Sequence, residues 1–120
     1  MVKSYEDLIA WQKAITFAEE VYRLQWSLPK EERFGIEDQI RRAVVSVPSN
    51  TAEGFGRESS KDFMHFLTVA RGSLYETRTQ LRIAHDLGLI DDATEVDAQA
   101  VEVGRLLNAF ISKLRSTANS

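Results

Sequence analysis

Three sets of residues in this 120-residue sequence carry side chains that could do chemistry. Asn50, Glu53, Ser73 and Glu76 form an amide, hydroxyl and carboxylate set at helical spacings. Such a set can hold a cation or move a proton, or it can be a hydrogen-bond network that fixes helix register. The second set is the two histidines, in Asp62-x-x-His65 and His85-Asp86. The third is cationic: Arg41, Arg42, Arg57, Lys61, Arg71, Arg78 and Arg82. Arg71, Arg78 and Arg82 are spaced by seven and four, so one helix face can follow a phosphate backbone.

The first two sets point away from catalysis. A di-iron bundle needs Glu-x-x-His pairs on facing helices, and Asp62-x-x-His65 has no counterpart. His85 lies near a helix end, where solvent or a dipole contact accounts for it. No histidine or cysteine joins the acidic set. The favoured reading of Asn50, Glu53, Ser73 and Glu76 is therefore a partly buried structural network between two helices. There is no Walker or dinucleotide glycine loop, and no serine has the setting of a nucleophile elbow. We expect a protein that is not an enzyme, with no cofactor and no metal.

Bulk composition sets further bounds. The net charge is −3, so no global positive field draws the chain to nucleic acid or anionic lipid. A local patch has to do any such work. The sequence has no cysteine, hence no disulfide or thiolate chemistry. It has no apolar run long enough for a membrane span, and MVKSYEDLIAW has acids where a signal peptide keeps its apolar core. A cytoplasmic protein is expected.

Positioning these residues falls to helices, predicted over about 5–28, 36–55, 60–87 and 92–115. The first carries Leu8, Trp11, Ile15, Ala18, Tyr22 and Gln25 at three-four spacing, a stripe widened by Ile9, Phe17, Val21, Leu24 and Leu28; it opens on a capping box of Ser4 and Asp7 and stops at Pro29. The second is the most informative. At about 100° per residue, Ile36, Ile40, Ala43, Val44, Val47 and Thr51 make one arc, and Gln39, Arg42, Ser46, Asn50, Glu53 and Arg57 a polar one beside it. Arg41, Val45, Pro48, Ala52 and Phe55 make a second apolar strip, which calls for a partner helix or subunit. The wheel keeps phase across Pro48, so the helix should run through it with a kink, and Gly54 and Gly56 should end it.

The third helix carries Phe63, Phe66, Leu67, Ala70, Leu74, Thr77, Leu81 and Ala84, with Gly88 as its stop. Gly72 in its middle implies close approach of another backbone. The fourth carries Val96, Ala100, Val103, Leu107, Phe110 and Leu114, capped by Asp91 or Asp92. Four helices with short links make one domain over 1–120, an all-α antiparallel up-down four-helix bundle with a proline-kinked second helix.

The stretch QIRRAVVSVPSNTAEGFGR, residues 39–57, resembles the bacterial 23S rRNA intervening-sequence proteins. So do Leu8-x-x-Trp11-x-Lys13-Ala14, Phe34-Gly35, Phe66, Ala70-x-Gly72-Ser73 and Glu76. Thr51 stands where that family usually has isoleucine, and Arg71 adds a charge beside Gly72. The resemblance implies an up-down bundle that assembles into a ring, a homopentamer, encoded within ribosomal RNA genes or free-standing. It is similar in fold to the accessory protein of diversity-generating retroelements, which binds nucleic acid through a basic surface. It transfers no catalytic residues. The expected function is a homo-oligomer that binds RNA or DNA or scaffolds a nucleoprotein, with Arg41, Arg42, Arg57, Lys61, Arg78 and Arg82 as phosphate contacts. The alternative is a protein–protein interaction module that binds no nucleic acid.

Overall fold

The structure is a computed structural model that describes residues 2–118, the Phe34 and Ala118 side chains excepted. A short 3-10 turn, Tyr5–Asp7, precedes four helices: α1 (Ile9–Tyr22), α2 (Phe34–Phe55), α3 (Ser60–Asp86) and α4 (Thr94–Ala118). Each helix packs on its two neighbours in sequence, α1 closes the square against α4, and the diagonal pairs do not touch. Ser46 meets Ser73 while Gly54 faces Phe66, and Arg78 meets Asp97 while Arg71 meets Asn108, so α2 and α3, and α3 and α4, run antiparallel; Lys13 of α1 meets Glu102 of α4 at 3.6 Å. The result is an up-down four-helix bundle about 52 Å long and 20 Å across.

Its core follows the expected stripes on three helices, except that Ile36, Phe63, Phe66, Phe110 and Leu114 are half-buried and Ile111, not expected, is buried. Ile40, Ala43, Val44, Val47 and Thr51 of α2 are buried, as are Leu67, Ala70, Leu74, Thr77, Leu81 and Ala84 of α3. Val96, Ala100, Val103, Leu107 and Ile111 of α4 complete it. The two buried threonines satisfy their hydroxyls on their own helices, Thr51 Oγ1 donating to the Val47 carbonyl at 2.9 Å and Thr77 Oγ1 to that of Ser73 at 2.8 Å. Thr51 thus replaces a larger apolar side chain without stranding a polar atom.

The first helix differs from expectation in length and phase. It ends at Tyr22, not at Pro29, and the capping box of Ser4 and Asp7 closes the 3-10 turn ahead of it. Residues 24–28 leave the helix because Trp26 pairs with Ile90 in an antiparallel bridge and Ser27 N donates to the Leu89 carbonyl at 2.8 Å. Leu24 and Trp26 cover the end of the core from there. Gln25, a polar residue in the apolar register, marks where helical continuation would have failed. The buried face of α1 is Ala10, Ala14, Phe17, Ala18 and Val21, while Trp11 and Ile15 are half-buried and Tyr22 is exposed.

Helix α2 runs through Pro48 unbroken. Proline has no N–H for the Val44 carbonyl. The side-chain donors nearby land further on: Asn50 Nδ2 donates to the Ser46 carbonyl at 2.9 Å, one turn back, as Thr51 does to Val47.

Gly56 caps the end of α2 as expected, but Gly54 and Gly72 act differently. Neither Gly54 nor Gly56 takes a left-handed conformation; Gly56 has φ −77° and Gly88 is the only described residue with positive φ, 74°. Gly88 stops α3 as expected, with Leu89 N donating to the Ala84 carbonyl and Gly88 N to that of His85, a Schellman motif. Gly54 is instead where α2 and α3 approach closely: a Cβ there would lie 2.8 Å from Phe66 Cβ and 3.2 Å from the Phe63 carbonyl. Gly72, expected to be such a point, is exposed with nothing within 4 Å.

At the start of α4, Asp92 Oδ1 accepts from Thr94 N at 2.9 Å. That backbone bond, with the Thr94 side chain, holds the Asp92 carboxyl below its ordinary value of 3.8.

Two predictions follow from this packing. Gly54→Ala should destabilise the bundle by about 1–3 kcal/mol through overpacking, whereas Gly72→Ala should stabilise it by about 1 kcal/mol; urea unfolding followed by circular dichroism separates the signs. Because the Asp92 carboxyl is lowered in the folded state, its contribution is present above the unfolded value and lost as pH falls through the folded one. The Tm difference between the wild type and Asp92→Ala should therefore be larger at neutral pH than at about pH 2.

Candidate nucleic-acid interface

The antiparallel register of α2 and α3 decides which of the polar residues meet. With Ser46 opposite Ser73, Asn50 Nδ2 reaches Ser46 Oγ at 2.8 Å, and Ser46 Oγ contacts Ser73 Oγ at 2.8 Å. This is a short, half-buried chain from Asn50 through Ser46 to Ser73. Glu53 and Glu76, expected in the same network, lie outside it. In this register Glu53 is level with Phe66 and Glu76 with Ala43, about 15 Å apart along the axis. Glu53 accepts instead from Arg57 at 2.7 Å, and Glu76 from Gln80 at 3.3 Å. The acidic pair that a ligand site would need is not assembled. Among the described residues no group of three or more His, Cys, Asp or Glu is placed to hold a metal ion.

The six cations divide by position and by pairing. Arg57 and Lys61 sit at the α2–α3 turn, and Arg82 lies about 30 Å from Lys61 along α3. Arg57 is drawn back onto Glu53, with its guanidinium 4.5 Å from the Phe66 ring centroid. Arg41 pairs with Glu37 at 3.0 Å and lies 4.8 Å over Tyr22. Arg78 bonds Asp97 and Arg82 bonds Asp86. Arg42 and Lys61 are exposed and have no ion-pair partner among the described residues. Arg71 donates to Asn108 at 2.9 Å. Arg42 borders the α2–α3 groove with Ser46, Ser73 and Glu76, whereas Arg78 and Arg82 border the α3–α4 cleft on the other flank of α3. A single chain therefore carries these charges as separate groups. Exposed pairs of this kind contribute at most about 1 kcal/mol each, so a phosphate can compete for the guanidinium.

Sequence reasoning missed Glu37. It is 5% exposed, with Arg41 on one carboxylate oxygen and Arg33 Nε 2.6 Å from the other, an approach off the hydrogen-bonding line. Arg33 lies 6.0 Å from the Trp26 ring centroid. The spacing of four between Arg33, Glu37 and Arg41 was visible, but burial of the carboxylate depends on how residues 24–28 fold across the bundle end. The triad ties Arg41 to structure.

No helix among the described residues is long and apolar enough to cross a membrane.

Comparison with known proteins follows the same lines as the geometry. Among curated proteins none matches. A solved structure of a protein with unknown function from the S23 ribosomal protein family of Bacteroides thetaiotaomicron has the same fold, with a TM-score of 0.78 and 21% identity over 87% of this chain and 96% of that one. The sequence model for the 23S rRNA-intervening sequence protein matches residues 6–109, which takes in α1, α2, α3, most of α4 and the α2–α3 register contacts. The chain belongs to the 23S rRNA-intervening sequence protein family.

Proposed function

We propose that this protein is a non-enzymatic, self-associating scaffold that holds RNA or DNA in a cytoplasmic nucleoprotein. The observation that carries the proposal is a half-exposed apolar band along α1 and α2. Trp11, Ile15 and Tyr22 contribute from α1, and Val45, Ala52 and Phe55 from α2. Tyr22 and Val45 are each 43% exposed, and with Ala18 they border a largely apolar hollow of about 360 Å³. This is the second strip of the α2 wheel, which α1 covers only in part. Burying it against another copy recovers about 25 cal/mol per Å² of apolar area removed from water.

Repeating one chain around an axis makes a closed ring, a pentamer on the family resemblance. The ring multiplies the exposed cations. Arg42 and Lys61 need no carboxylate displaced to meet a phosphate, and Arg57, Arg78 and Arg82 exchange weak surface pairs for it. Arg41 is the least available, since Glu37 and Tyr22 hold it. The family's name links such proteins to ribosomal RNA, which fits a phosphate-bearing partner. The pairing of four of the six cations with carboxylates supports a second reading, in which the band docks a different protein and no nucleic acid is bound.

The tests separate assembly from binding. Sedimentation should give a multiple of the 13.6 kDa chain, and Val45→Asp should reduce it to the single chain without loss of helicity. A single-chain mass for the wild type would end the scaffold reading. Filter binding of single-stranded RNA should weaken steeply as salt rises, with a logarithmic slope of about −0.7 per phosphate contacted. No retention at low salt, with protein partners recovered after nuclease treatment, would favour the second reading.

A further inference from the structure

We infer that the cleft between α3 and the first turns of α4 is a nucleotide subsite, taking one nucleoside phosphate, free or within a single strand. The inference rests on the nucleic-acid reading above and assigns it a place. The cleft encloses about 630 Å³, inside the range that small-ligand sites occupy. Leu81 and Val96 form a buried apolar floor, 5% and 4% exposed. Tyr75 stands at one side with its side chain 47% exposed, on the same ridge of α3 as Arg78 and Arg82.

The two guanidiniums are held by one edge and open at the other. Arg78 directs Nε and Nη2 to a single oxygen, Asp97 Oδ1, at 3.2 Å each. Among the described residues its Nη1 has no partner, and neither has Asp97 Oδ2. Arg82 donates through Nε to Asp86 Oδ2 at 2.9 Å, and its two Nη groups have no partner among the described residues. Asp86 is shared with His85, whose Nδ1 is 3.7 Å from Oδ1. The carboxylates thus orient the forks without using all their donors, and one turn of α3, about 6 Å, separates the arginines.

That arrangement fits a nucleotide better than other anions. With Asp97 and Asp86 counted, the cleft has no net charge from Arg78 and Arg82, so recognition is short-range. A phosphate meets the free guanidinium nitrogens. A base stacks on Tyr75 over the apolar floor, as bases do on aromatic side chains in single-strand sites. Asp97 Oδ2 accepts from a hydroxyl or amino group. An acidic peptide would bring carboxylates towards Asp97 and Asp86 and would leave Tyr75 unused.

The test is a titration of the full chain with 5′-AMP, inorganic phosphate and a short oligoadenylate, followed through backbone amide shifts. We expect 5′-AMP and the oligonucleotide to shift the amides of Tyr75, Arg78, Arg82 and Val96, and inorganic phosphate alone to bind more weakly. Tighter binding of the oligonucleotide assigns the site to a strand; equal binding assigns it to the free nucleotide. Tyr75→Leu should weaken binding by about tenfold and Tyr75→Phe should preserve it. Arg78→Gln with Arg82→Gln should weaken the oligonucleotide and flatten its salt slope by about 1.4. All three variants change exposed or half-exposed positions, and a thermal melt checks that each is folded. If the oligonucleotide binds but these substitutions leave it unchanged while Arg42→Gln and Lys61→Gln remove it, the subsite is wrong and the nucleic-acid reading stands. If neither 5′-AMP nor the oligonucleotide binds anywhere, both fall. Phosphate binding as tightly as 5′-AMP would also overturn the nucleotide assignment.

Discussion

The close antiparallel contact of α2 and α3 is the constraint on which the rest of this bundle depends. It is fixed at two heights. Ser46 and Ser73 touch near the middle, and Gly54 admits the Phe63 and Phe66 side chains near the turn. Between them these contacts leave one register. A hydroxyl pair has to be opposite its partner to be satisfied once half-buried, and a missing Cβ is useful only where a large side chain or a carbonyl faces it. Shifting α3 by one turn would take Ser73 away from Ser46 and move Phe63 and Phe66 off the space that Gly54 leaves. The level of every residue on the two helices follows, including which polar side chains can meet and which flank of α3 each arginine occupies.

That register explains why the polar set does not become an acidic site. Glu53 and Glu76 share a stripe in projection but not a height along the axis. Each therefore ends on a residue four positions on in sequence, Glu53 on Arg57 just past the end of α2 and Glu76 on Gln80. The same logic disperses the cations. Two lie by the α2–α3 turn, one borders the α2–α3 groove and two border the α3–α4 cleft. With a net charge of −3, a single chain has no long-range field to offer a polyanion. Contact must come from guanidinium groups that surface pairing leaves partly open, and from their repetition in an assembly.

Glu37 is the opposite case, a carboxylate taken out of water. Two arginines bracket it, and each of them lies against an aromatic ring, Arg33 against Trp26 and Arg41 against Tyr22. Removing one partner of such a set costs far more than an exposed pair is worth. Arg41 is thereby committed to this corner, although its place on the wheel makes it look as free as Arg42.

The sequence by itself settled helix type, most helix limits and the inward faces of α2, α3 and α4, because apolar spacing near 3.6 residues, caps and the Gly88 stop act within a few residues. It also carried the family in residues 39–57. Tertiary structure decided the rest. It ended α1 at Tyr22, because Trp26 and Ser27 find partners around Ile90 that lie 64 residues away in sequence. It added Ala10 and Ala14 to the buried face of α1 beside the expected Phe17, Ala18 and Val21, and left Trp11, Ile15 and Tyr22 at its edge, because α1 carries apolar residues on more than one arc and only its neighbours choose among them. It gave Gly54 the close-approach role expected of Gly72, since a glycine's use depends on what stands opposite. Spacing along one helix gives the angle of a side chain; its height against another helix, and so its partner, is set only when the two are packed.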